Sequence, residues 1–146
     1  MRSRAAIITI AVLGFVFDRI LKQYALESPA LGRGVFVFDS AFGLRTQVNE
    51  FFAWSLPVPN TAVLGAMILI IAVLGWALYT KRANACVAGP LWIVLAGALS
   101  NAIDRLLYGG VIDYLAVPLQ GVFNLADALV VFGIALLMFP RARYAH

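Results

Sequence analysis

No Asp, Glu, Lys, Arg or His occurs between positions 51 and 80, and 61–79 is dense in Leu, Ile, Val and Ala. Such a run exceeds the roughly 20 apolar residues that a helix needs to cross a hydrocarbon core about 30 Å thick. Lipid offers the backbone no hydrogen-bond partners, so this stretch predicts a membrane-spanning helix. The remainder suits the same solvent. Of 146 residues, 63% are hydrophobic and 12% charged, against about 25% charged in soluble domains. So few polar side chains cannot coat a water-soluble globule. That excludes an ordinary soluble domain, a disordered chain and a nucleic-acid-binding module, and the length suits one domain.

A second uncharged stretch covers 83–103, with Pro90 tolerable near a helix start. The end segments are shorter: 5–17 precedes Asp18, and 128–139 follows Asp127. Each must carry its Asp into the membrane or its interface. The expected fold is therefore an all-α membrane protein with four transmembrane helices, at about 5–26, 60–80, 86–106 and 123–139. They form a single integral domain over 1–146, with outer loops at 27–59 and 107–122. Arg2, Arg4, Lys81, Arg82, Arg141 and Arg143 cluster at one side of this arrangement, whereas 27–59 holds only Arg33 and Arg45. The positive-inside rule predicts cytoplasmic termini. The basic start and short apolar core resemble a signal peptide, but Asp18-Arg19 stands where small residues should lead to a cleavage site, so a retained anchor is expected.

A rise of about 1.5 Å per residue puts Asp18 and Asp127 both about 20 Å above the cytoplasmic side. Asn101, Asp104 and Arg105 fall at about 17–23 Å on the third helix. Three helices thus bring their polar residues to one layer near the outer interface, where charge is costly and usually faces a bundle interior or a site. In the first outer loop, β-branched and aromatic runs at 35–38 and 44–48 flank Asp39-Ser40-Ala41-Phe42-Gly43. They predict a small β-hairpin or sheet on the outer side. Phe36, Phe38, Phe51, Phe52 and Trp54 suit contact with the membrane surface.

The helix period puts Asn101, Asp104 and Arg105 on one face. An ion pair tying that helix to a neighbour is the plain reading of Asp104 and Arg105, as a local pair is of Asp18 and Lys22. Asp113 and Asp127 have no basic neighbour in sequence, and a short loop can fold them together. Two adjacent carboxylates in a low-dielectric site share a proton: one activates water, the other polarises a carbonyl. They could equally cap the fourth helix or bind Arg105. Other chemistries are poorly supplied. The sole histidine, His146, ends the chain and reads as tail. Cys86 is the sole cysteine, so neither a disulfide nor a Cys-rich metal site is available. A Ser100–Lys22 nucleophile pair is conceivable. A proton relay lined by Asp18, Asp104 and Asp127, without hydrolysis, is the non-enzyme alternative.

Asn101-x-x-Asp104-Arg105, Gly110-Val-Ile-Asp113-Tyr114 and Phe123-Asn124-Leu-Ala-Asp127, in that order, resemble the bacterial lipoprotein signal peptidase family. Asp18-x-x-x-Lys22 resembles its first-helix motif and Asn49-x-x-x-Ala53-Trp54 its loop motif, with Phe51 where that motif has glycine and Trp54 where it usually has phenylalanine. The resemblance implies an aspartic endopeptidase of the bacterial inner membrane, multi-pass, with its active site toward the outer face. It would cleave diacylglyceryl-modified prolipoproteins on the amino side of the lipidated cysteine. It implies Asp113 and Asp127 as the catalytic pair, Asn49, Asn101, Arg105 and Asn124 as substrate-binding residues, and Asp18, Lys22 and Asp104 as supporting ones. No cofactor or metal is implied. The partners expected are the lipidated precursor and membrane lipids, with no nucleic acid, and the protein is expected to be a monomer.

Overall fold

The structure, a computed structural model, describes residues 2–37, 42–50, 58–81, 84–117 and 121–138. The turn at Asp39-Ser40-Ala41, the aromatic loop of Phe51, Phe52, Ala53 and Trp54, Arg82, and the tail with Arg141, Arg143 and His146 lie outside the described residues.

Helix α1 (Arg2–Glu27) is followed by a single turn, α2 (Pro29–Arg33). Pro29 opens that turn, and Gly34 closes it in a positive-φ conformation (φ 85°), its N–H returning to the carbonyls of Ala30 and Leu31. Strands β1 (Val35–Val37) and β2 (Phe42–Asn49) form the expected antiparallel hairpin, with Val35 opposite Leu44. Helices α3 (Asn60–Lys81) and α4 (Ala85–Tyr108) follow, and the Asn84 side chain caps the latter by accepting from the Cys86 N–H at 3.1 Å.

The next segment departs from the sequence reading. Much of 107–122, expected as a loop, forms β3 (Val111–Val117) and β4 (Gly121–Phe123), and α5 (Leu125–Met138) starts directly behind them. The sheet order is β1-β2-β3-β4, all antiparallel. The alternation in Val111-Ile-Asp-Tyr-Leu-Ala-Val is masked because both faces of β3 are covered, leaving no polar side to betray a strand. Gly109, left-handed at φ 73°, ends α4. Gly110 lets the strands meet, since a Cβ there would lie 2.8 Å from the Asn49 carbonyl oxygen.

Helix α4 is the centre of the molecule, packing on α1, α3 and α5. Its contact with α5 is the closest. A Cβ on Gly97 would lie 2.4 Å from the Ala126 carbonyl oxygen, and one on Gly133 2.5 Å from Val94 Cγ2. Small residues that let backbones approach are how helices associate where lipid removes the hydrophobic drive between them. Helix α3 makes the same point from the outside. It is apolar all round, yet only Val63 and Leu78 are buried, while Leu69 and Trp76 are 65% and 69% exposed. A helix hydrophobic on every side and bare on most of them is built for a hydrocarbon solvent.

The α4–α5 approach predicts that Gly97→Ala costs about 1–3 kcal/mol, the range for overpacking. Gly65→Ala, with open space around its Cβ, should be neutral or stabilising, since alanine is the better helix former. Thermal unfolding of the detergent-purified variants reads both, and equal melting temperatures would contradict the close contact.

Candidate active site

The polar layer expected from depth counting is one connected network. The Lys22 side chain is fully buried. Its ammonium, with three donors and no acceptor, bonds Asp18 Oδ2 at 3.0 Å, Asp104 Oδ2 at 2.7 Å and Asn101 Oδ1 at 2.7 Å. Asp104 also pairs with Arg19 and accepts from the Ile112 N–H at 3.1 Å. Asp18 accepts from the Ser100 hydroxyl at 2.6 Å, the Tyr114 hydroxyl at 3.0 Å and the Ala126 N–H at 3.0 Å. Buried charge is tolerated only when paired and hydrogen-bonded, and here two acids and two bases share one site. The local Asp18–Lys22 pair forms as expected, but it is fully buried and its further bonds tie α1 to α4, β3 and the start of α5.

The first turn of α5 is satisfied in full. Its leading N–H groups, which no helix can pair internally, go to four separate acceptors. Leu125 donates to the Tyr114 hydroxyl at 3.1 Å, Ala126 to Asp18 Oδ1 at 3.0 Å and Asp127 to Asn124 Oδ1 at 2.8 Å, and the helix's own ladder begins with Ala128 donating to the Asn124 carbonyl at 3.3 Å. Asp127 Oδ2 accepts in return from the Asn124 N–H at 3.4 Å. This is a capping box, with Asn at the cap and Asp at the third helical position. It aims the Asp127 carboxylate and locks the Asn124 amide together.

Those locks orient both candidate carboxylates. Because Asn124 Oδ1 faces the Asp127 N–H, its Nδ2 faces Asp113, donating to Oδ1 at 2.6 Å and to the Ile112 carbonyl at 3.3 Å. Because Asn101 Oδ1 faces Lys22, its Nδ2 donates to Asp127 Oδ1 at 2.7 Å. Asn49 Nδ2 approaches Asp113 Oδ2 at 3.4 Å. Asp113 is buried and Asp127 half-buried, so the pair is more open on the Asp127 side. Burial, and then the facing charge of Asp127, push the Asp113 carboxyl up to about 7, against the opposing hydrogen bonds from Asn124 and Asn49 and the charge of Lys22. Burial also raises the Tyr114 hydroxyl, which the Asp18 charge reinforces.

Several sequence expectations need correction. Asp113 sits on β3 rather than in a loop just before the last helix. Asn101 and Asp104 do act on one face, both bonding Lys22 of α1, but Arg105 is directed elsewhere, its Nη1 donating to the Asn60 side-chain oxygen at 2.9 Å. Asp104 makes the ion pair to a neighbouring helix that its plain reading expects, with Arg19 and Lys22 of α1. Ser100 donates to Asp18, so no Ser–Lys nucleophile pair forms. Sequence reasoning missed Arg19, Asn60, Ser100 and Tyr114 as network members. Ser100 and Tyr114 adjoin residues that the motifs singled out. Asn60 lies inside the uncharged run 51–80, directly before its most apolar part, a polar residue at the start of α3. Among the described residues no group of three or more His, Cys, Asp and Glu side chains is arranged to hold a metal ion.

The profile of a family described as Signal peptidase (SPase) II matches residues 10–142. The chain is 32% identical to the lipoprotein signal peptidase of Nitrobacter hamburgensis, over 90% of this chain and 88% of that one. It is 31% identical to that of Moorella thermoacetica over 88% and 87%, and 29% identical to that of Halothermothrix orenii over 88% and 90%. Two solved bacterial membrane enzymes share the backbone. One, at 27% identity, has a TM-score of 0.80 over 92% of this chain and 86% of that one; the other, at 25%, has 0.79 over 97% and 95%. Agreement over nearly the whole length in sequence and in backbone has one meaning: the chain belongs to the signal peptidase II family.

Proposed function

We propose that this protein is a lipoprotein signal peptidase that hydrolyses its substrate with Asp113 and Asp127 as an aspartic dyad. The observation that carries the proposal is the paired carboxylates, each held by an asparagine amide whose orientation a second donor or acceptor dictates. In this reading Asp113 holds the shared proton and Asp127 is the ionised partner. Water between them loses a proton to Asp127 as its oxygen attacks the scissile carbonyl carbon, while Asp113 gives its proton to the carbonyl oxygen. The tetrahedral diol then collapses. One hydroxyl proton returns to Asp113, the proton on Asp127 passes to the amide nitrogen, and the C–N bond breaks. Asn101 and Asn124 keep the carboxylates aimed, and Asn49 and Arg105 contact the substrate backbone. Asp18, Lys22 and Asp104 support the arrangement.

The substrate proposed is a diacylglyceryl-modified prolipoprotein, cut on the amino side of the lipidated cysteine. The protein would act as a monomer without cofactor. It would form one domain over 1–146 in the bacterial inner membrane, with α1, α3, α4 and α5 as four spans and cytoplasmic termini. The basic residues at 2, 4, 81, 82, 141 and 143 support that orientation. Helix α5, 14 residues and about 21 Å long, fits a span whose first turn lies at the depth of the dyad. The proton-relay alternative is disfavoured because Asp18 and Asp104 are engaged by Lys22 and Arg19, leaving no ladder of exchangeable acids.

Purified protein should release the signal peptide rapidly from a lipidated precursor and very slowly from the same precursor with an unmodified cysteine, compared in one detergent at matched concentration. The lipid anchors the bond at depth, at about 0.8 kcal/mol per buried methylene. Comparable rates would move the reading to a general intramembrane peptidase.

Asp113→Asn and Asp127→Asn should each lower turnover by at least about 10²–10⁴-fold, the scale of general acid–base catalysis, in protein that still inserts and folds. Near-wild-type turnover in either would remove that residue from the chemistry.

The pH dependence has a definite sign. Folded Asp113 keeps its proton up to about 7, whereas an unfolded chain loses it near pH 4. Cleavage should therefore decline along an alkaline limb near pH 7. Stability should also fall as pH rises from about 4 to about 7, because the folded state binds more protons over that interval. A cleavage profile and melting temperatures across pH 4–9 test both, and an alkaline limb above pH 9 would contradict the assignment.

A further inference from the structure

Strand β2 carries a bulge beside the dyad. Leu44 pairs with Leu115, but the next pair is Gln47 with Asp113, so Arg45 and Thr46 together face the single residue Tyr114. Bulges re-aim side chains and are enriched next to active sites. Without the extra residue Thr46 would stand opposite Asp113. With it, Thr46 turns away and its hydroxyl donates to the Ala25 carbonyl of α1 at 2.8 Å, which pins the bulge. Gln47 takes the cross-strand position.

Directly opposed residues of an antiparallel pair share a sheet face, with Cβ atoms about 4.5–5.5 Å apart. Gln47 is exposed and its side chain makes no hydrogen bond among the described residues, whereas Asn49, two residues on, reaches Asp113. On the other side of Gln47 that face turns apolar. Leu44, Phe42, Val35 and Val37 lie on it, 40–56% exposed, through the pairs Leu44–Leu115, Val35–Leu44 and Val37–Phe42. A peptide entering the dyad must be extended, and its backbone N–H and C=O groups need partners once an apolar face and lipid have displaced water. Gln47 offers two donors and an acceptor at the border between the dyad and that face.

We propose that Gln47 is a substrate-binding residue, its carboxamide hydrogen-bonding the backbone of the extended peptide next to the scissile bond. The proposal rests on the aspartic-peptidase reading above. Gln47 would select for main-chain geometry rather than for a side chain, while the apolar stretch beyond it accepts the adjoining apolar residues.

The test uses full-length protein and a lipidated prolipoprotein, read as kcat/KM across pH. Gln47→Ala should lower kcat/KM about 3- to 10-fold, the scale of one hydrogen bond. Its melting temperature and alkaline limb should match the wild type. Gln47→Glu sets a like charge across the strand from Asp113. It adds to Asp127 of α5 and opposes Lys22 of α1 and Arg105 of α4, the charges that reach that carboxyl. It should move the alkaline limb upward by about 0.5–1 pH unit. An unmoved limb would overturn the placement of Gln47 beside Asp113. Wild-type kcat/KM in Gln47→Ala, with Asp113→Asn inactive, would overturn this contact alone. A wild type that releases no signal peptide would overturn the enzymatic reading and this contact with it.

Discussion

A fully buried lysine is the constraint on which the rest depends. Lys22 has no water to solvate its charge, and each of its three protons meets an oxygen, from Asp18, Asp104 and Asn101. Removing one partner of such a pair typically costs about 3–5 kcal/mol, because the other charge is left uncompensated. The arrangement therefore admits little drift, and it fixes more than itself. An ammonium can only donate, so Asn101 must present its oxygen to Lys22 and its N–H to Asp127. The orientation of one carboxylate is thus set by a charge one residue removed from it.

The same economy governs the start of α5. A helix beginning inside a low-dielectric layer needs acceptors for four N–H groups, and a carboxylate there also meets the positive end of the helix dipole. Asp18 of α1, the Tyr114 hydroxyl of β3, and the Asn124 and Asp127 side chains supply them. Anchoring the helix and aiming the Asp113–Asp127 pair are one set of bonds. Residues that look structural and residues proposed to act on substrate are consequently hard to separate: Asn124 caps α5 with one end of its amide and holds Asp113 with the other.

Around this polar layer the solvent changes. Below it, α3 and the outer faces of α1 and α5 present exposed apolar side chains, and helices meet through Gly97 and Gly133. Above it, a four-stranded sheet assembles from two segments far apart in sequence. Gly110 permits the close approach of β2 and β3 that carries Asn49 to Asp113. The pair sits where the helices and the sheet join, buried enough to retain a proton and open toward Asp127.

Much was legible in the sequence because hydropathy is local and additive. Runs of uncharged residues marked the apolar helices, and a constant rise per residue aligned Asp18, Asn101, Asp104 and Asp127 at one depth, where the structure joins them. The hairpin of β1 and β2 was legible from its β-branched and aromatic runs. What the tertiary structure alone decided is directional and non-local. Asp113 lies on a strand because β2, some sixty residues earlier, pairs with it. Arg105 turns to Asn60, and Asp104 pairs with Arg19 and Lys22. A single extra residue in β2 determines that Gln47 rather than Thr46 faces Asp113. Composition and spacing set which groups must leave water together. Only the packed chain decides which oxygen each donor reaches, because a hydrogen bond depends on the position and angle of two groups that the sequence holds far apart.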